Sequence, residues 1–141
     1  MKKLLLFFMA LCATGVVQAQ VKFEDKTTDA LREMAIKQQK LVFIDLYATW
    51  CPPCRMMERD VFSRKDVGDF MSKYFVAAKY DVDKTTGREL MRRYGEGSIP
   101  LYLVFDTKGE LLGRILGGAK AETFMENLRA IIEKKRTGQA K

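Results

Sequence analysis

Trp50-Cys51-Pro52-Pro53-Cys54 places two thiols at the point where a strand hands over to a helix. The apolar run Leu41 to Tyr47 leads into it, and the helix-permissive run Arg55-Met56-Met57-Glu58-Arg59 follows. In the first turn of a helix, side chains three apart share a face and lie close enough to close a disulfide. The first cysteine also meets unpaired backbone N–H groups and the positive end of the helix dipole, which favour its thiolate. Proline is tolerated there because first-turn N–H groups have no intrahelical partner. A Cys-x-x-Cys near a βαβ pattern reads as a dithiol redox site.

Upstream, Gln20 to Lys26 predicts a short strand or arm. Thr27-Thr28-Asp29 supplies N-cap candidates for a helix carrying Ala30, Leu31, Met34 and Ala35 at helical spacing and ending near Gln38-Gln39-Lys40. Leu41 to Tyr47 is apolar except for Asp45, as in a central strand covered on both faces. Downstream, Ser63 with Asp66 predicts a cap and a helix over Asp66 to Lys73. Phe75 to Val82 predicts a strand, and Thr85 or Thr86 a cap for a helix through Tyr94. Leu101 to Phe105 and Glu110 to Leu116 flank the turn Asp106-Thr107-Lys108-Gly109 as a hairpin. Ala121 to Lys135 predicts a last helix, with Phe124, Leu128, Ile131 and Ile132 on one face, before a polar tail from Thr137. The order predicts an α/β sandwich with a mixed sheet.

Residues 1–19 predict a signal peptide: Lys2 and Lys3, an apolar stretch Leu4 to Val17, and Val17-Gln18-Ala19 as the cleavage signal. That stretch is short for a membrane span, which needs ~20 apolar residues. An uncleaved anchor, or a lipid attached at Cys12, is the alternative. Cleavage would leave one domain, residues 20–136, a polar tail over 137–141, and just two cysteines, Cys51 and Cys54. Without Lys2 and Lys3, 23 basic and 18 acidic residues leave a modest positive excess. The charges are interspersed, with no arginine-aromatic stripe of the kind that binds nucleic acid. The chain has no histidine and no second cysteine pair, so neither a zinc site nor any other cofactor is expected.

From about Leu41 to Lys135 the chain resembles the thioredoxin-like family. The resemblance is carried by Asp45 in its strand, the Trp50-Cys51-Pro52-Pro53-Cys54 run, Ile99-Pro100 after the second helix of the pattern, then a hairpin and a final helix. The stretch from Cys54 to Val67 is similar to secreted Bacteroides-type members and to the C-terminal domain of a membrane transporter that feeds electrons to periplasmic thiols. Pro52, Tyr47 and Leu101 depart from the cytosolic pattern, which has glycine, tryptophan and threonine there. The resemblance implies a three-layer sandwich with helices on both faces of a mixed sheet. It implies a periplasmic or secreted thiol–disulfide oxidoreductase acting on protein thiols and disulfides, supplied with electrons by a membrane or soluble thiol donor. Disulfide isomerase or oxidase activity is the neighbouring alternative. A redox-inert peptide-binding module is the alternative of another class.

On this reading Cys51, at an exposed turn, is the nucleophile. Cys54, one turn inward and facing the core, resolves the mixed disulfide. A static disulfide staple is the competing reading. Asp45, a carboxylate in an apolar strand, is suited to take the Cys54 proton, because burial raises its pKa. Lys79, on the neighbouring predicted strand, tunes it. The resemblance makes Pro100 cis, which sets the Ile99 backbone beside the dithiol for a substrate chain to pair with. Trp50, Pro52 and Pro53 complete the docking surface.

Overall fold

The computed structural model describes residues 20–138. The expected leader, and Cys12 with it, lies outside the described residues, as does the end of the polar tail. Helix α1 (Thr28–Gln38) is capped by Thr27, whose hydroxyl accepts the Ala30 N–H at 3.3 Å. It stops at Gln39, which takes a left-handed conformation (φ 55°) and returns its own N–H to Ile36. Strand β1 (Leu41–Tyr47) follows, then helix α2 (Pro52–Met57). Helix α3 (Lys65–Tyr74) leads into β2 (Phe75–Asp81), and α4 (Thr85–Tyr94) precedes β3 (Leu101–Phe105). Strand β4 (Leu111–Leu116) and α5 (Ala121–Arg136) complete the order.

The sheet runs β2-β1-β3-β4, with β1 parallel to β2 and antiparallel to β3, and β3 antiparallel to β4. It is the mixed sheet of an α/β sandwich. The period of two along β1 divides the core. Leu41 and Phe43 join Tyr102, Val104 and Phe124 under α2, α3 and α5. Val42, Ile44 and Leu46 join Leu31, Ala35 and Leu103 under α1 and the half-buried side of α4. Asp45 therefore stands on the first face, in line with Phe43. The arm ahead of α1 does not form a full strand. Phe23 makes a single bridge to Ala77, and Glu24 N–H donates to the Ala77 carbonyl at 2.8 Å, covering part of the β2 edge.

Three expectations need correction. A π-helical turn (Glu58–Phe62) continues α2, which the pattern did not reveal. The Ser63 hydroxyl closes that turn, donating to the Arg59 carbonyl at 2.6 Å, and so does not cap α3. Arg64 holds the cap position of α3, and Asp66, inside the first turn, accepts the Val67 N–H instead. Lys84, not Thr85 or Thr86, holds the cap position of α4. The preceding turn is closed by Asp81, whose carboxylate accepts the Asp83 N–H and whose carbonyl accepts the Lys84 N–H.

Candidate active site

Strand β1 delivers the chain to Ala48, and Cys51 N–H turns back to the Ala48 carbonyl at 3.2 Å. Cys51 is the N-cap of α2 in extended conformation, and its sulfur accepts the Cys54 N–H at 3.3 Å. Pro52 and Pro53 fill the first two helical positions, where the missing N–H groups cost nothing. Cys51 and Cys54 are joined as a disulfide with Cα atoms 5.3 Å apart.

The expected exposed Cys51 is not what the structure presents. Cys51 is 2% exposed and Cys54 5%. Both pack with Ala48 beneath the half-buried side chains of Tyr47, Val82 and Ile99. In this oxidised form Cys51 is therefore not an open turn residue.

Around the pair lies an apolar rim. Trp50 is 61% exposed, and Pro52 and Pro53 stand out in solvent. The indole Nε1 of Trp50 donates to Asp83 Oδ2 at 2.8 Å, which fixes the ring against the turn after β2. Ile99 borders the dithiol, and the Ile99–Pro100 bond is cis. The Pro100 carbonyl accepts the Gly117 N–H at 2.8 Å, tying this loop to the end of β4. Leu116, at that end of β4, is also 61% exposed. Leu116 and Asp83 were not singled out from the sequence. Only the hairpin register, which pairs Leu116 with Leu101, brings the former to this loop.

Asp45 is 3% exposed, and burial pushes its carboxyl up to about 7, with the Lys79 charge pulling weakly the other way. Lys79 is its direct register partner on β2. Its ammonium does not bond Asp45 but pairs with Glu58 of the π-helical turn. It also lies over the Tyr47 ring at 4.4 Å and the Phe23 ring at 5.6 Å. Partial burial lowers the Lys79 pKa, and the Asp45 charge opposes this. The structure thus brings Asp45 and Lys79 together, and adds Glu58, which sequence reasoning placed only in a helix.

A thioredoxin-like domain model matches residues 28–132. The chain belongs to the thioredoxin-like family. It is 32% identical over 131 residues to the thiol:disulfide interchange protein DsbD of Ralstonia nicotianae, which covers 92% of this chain but only 21% of that protein. A solution structure of a proposed disulphide-isomerase from Bacteroides thetaiotaomicron superposes with a TM-score of 0.74 at 30% identity, covering 82% of this chain and 97% of that one. The oxidised C-terminal domain of DsbD from Neisseria meningitidis gives a TM-score of 0.61 at 25% identity, over 78% of this chain and 97% of that one. These similarities, with the cysteine pair at the head of α2, make the chain a thioredoxin-like member of the disulfide oxidoreductases.

Proposed function

We propose that this protein reduces disulfides of protein substrates outside the cytoplasm, through Cys51 and Cys54. The observation that carries the reading is the cysteine pair at the N-terminus of α2, bordered by the Ile99-Pro100 loop and an exposed apolar rim. In the reduced protein the Cys51 thiolate attacks one sulfur of a substrate disulfide. A Cys51–substrate bond forms and the other substrate sulfur leaves as a thiolate. Cys54 then gives up its proton and attacks the Cys51 sulfur, releasing the second substrate thiol. Two electrons pass from the dithiol to the substrate, and the internal disulfide remains.

Asp45 takes the Cys54 proton in this scheme, since burial holds its pKa near neutrality where both protonation states are available. Lys79, shared with Glu58, moderates that charge. Trp50, Pro52, Pro53 and Ile99 receive the substrate chain, which pairs with the backbone beside Pro100 as an added strand. Electrons come from a membrane or soluble thiol donor, in keeping with the likeness to DsbD. The leader ends at Ala19 and is removed. No described helix is long and apolar enough to cross a membrane. Disulfide isomerisation is the second reading, favoured by the Bacteroides relative's description.

Trapping tests the reading. Cys54→Ser should accumulate mixed disulfides with substrate proteins, and Cys51→Ser should not. The parent should reduce insulin with dithiothreitol as donor. Insulin reduction by neither the parent nor its reduced form would leave a redox-inert module as the better description.

A further inference from the structure

Asp45 and Tyr102 stand opposite one another across the antiparallel β1–β3 pair, on the sheet face that carries Phe43 and Val104. Asp45 is 3% exposed and Tyr102 fully buried. Among the described residues, the buried side-chain atoms without a hydrogen-bond partner are Asp45 Oδ1 and the Tyr102 hydroxyl. An unpaired oxygen in an apolar interior is costly, and buried polar groups are nearly always paired. The two unpaired oxygens belong to residues that face each other across the β1–β3 pair.

Packing explains the Tyr102 ring but not its oxygen. The ring stacks on Phe43 at 5.6 Å and meets Phe62 and Phe124 edge-on at 6.0 and 5.2 Å. Phenylalanine would fill the same space. The charged group opposite Asp45 on β2 is committed elsewhere. From β2, Lys79 gives its ammonium to Glu58 and to the Tyr47 ring. Tyr47, next on the same face of β1, carries the Lys79 ammonium over its ring. Burial and the Asp45 charge both push the Tyr102 phenol up, so it remains a donor.

We propose that Tyr102 is a positioning residue for Asp45, its O–H donating through one buried water to the Asp45 carboxylate. This deepens, and rests on, the reading of Asp45 as a working carboxylate of the site. The donated hydrogen bond then favours the ionised form, against the burial that disfavours it.

The test is Tyr102→Phe in the full chain, which keeps the ring stack. The readout is the Asp45 carboxyl carbon followed by NMR against pH, its signal assigned by loss in Asp45→Asn. The titration midpoint should move up by about one pH unit, the size expected for a hydrogen bond to a charged group. Melting temperatures of parent and variant should agree near pH 5 and diverge above pH 7, the variant melting lower. An unmoved midpoint overturns the proposal. So does a variant that melts higher at every pH, which is the behaviour of a simple unsatisfied hydroxyl removed from a core. Because this readout does not use substrate turnover, failure of Asp45 as the proton acceptor would appear separately, as unchanged resolution kinetics in Asp45→Asn.

Discussion

Asp45 is one charge in an otherwise apolar strand, and its burial has consequences for stability as well as chemistry. Its folded-state pKa, about 7, lies above the ordinary 3.8. The folded protein therefore binds a proton that the unfolded chain releases. The stabilisation is fully present below the unfolded value and is lost as pH rises through about 7. Asp45→Asn removes that loss. The variant should be more stable than the parent at pH 8, by at most about 4 kcal/mol at 1.36 kcal/mol per pH unit. Urea denaturation of the oxidised forms at pH 5 and pH 8 measures it, and an equal gap at the two pH values would contradict the assignment. In stopped-flow experiments the same variant should slow resolution by Cys54 more than the first attack by Cys51. At this scale the sequence was informative where partners are near in the chain. Cys51 and Cys54 are three apart, and Asp45 is conspicuous among Leu41 to Tyr47. Lys79, the register partner of Asp45 on β2, was legible through the family resemblance, but the sequence was silent on Tyr102 across β3 and on Glu58, which reaches Lys79 from a helical turn.

The strands were legible as elements because both faces of β1 and β3 are covered, so each reads as an apolar run with clear ends. Leu41–Tyr47 and Leu101–Phe105 have the bounds the pattern indicates. The π-helical turn was not legible, since its residues pass equally well for α-helix and only the Ser63 hydroxyl marks its close. Helix caps were misplaced at α3 and α4, where Arg64 and Lys84 hold the cap position without a side-chain bond. The start of α4 depends instead on close packing. A Cβ on Gly87 would lie 2.1 Å from the Asp81 carbonyl oxygen, which is backbone and cannot swing aside. In an open helix, alanine for glycine gains about 1 kcal/mol. Here overpacking should cost about 1–3 kcal/mol and outweigh it. Gly87→Ala should lower the urea midpoint. It should also change the fluorescence of Trp50, the chain's one tryptophan, because the displaced turn carries Asp83, which holds the indole. An unchanged spectrum with an unchanged midpoint would show that the turn yields freely.

The whole molecule sets the direction of electron flow through what surrounds the Cys51 thiolate. A dithiol is strongly oxidising when its reduced form is stabilised, above all by hydrogen bonds and positive charge at the thiolate. Two prolines between the cysteines remove two possible backbone donors, leaving the Cys54 N–H as the one that reaches the Cys51 sulfur here. The chain has no histidine to add another. Nearby cations are already engaged. Arg55 donates to the Thr49 carbonyl, and Arg59 is paired with Asp60. The excess of basic residues is spread over an exposed surface, where water and salt screen it. The thiolate is therefore weakly supported, and the rigid Pro52-Pro53 segment favours the closed disulfide over the open dithiol. Both effects lower the reduction potential. It should fall nearer about −270 mV, as in thioredoxin, than about −120 mV, as in a strongly oxidising member. Replacing Pro53 by histidine should raise it, by adding a donor and a titratable cation beside Cys51. Equilibration of parent and variant against a glutathione or dithiothreitol series gives both values. A parent potential near about −180 mV, that of protein disulfide isomerase, would reverse the order of the two readings and make isomerisation the first.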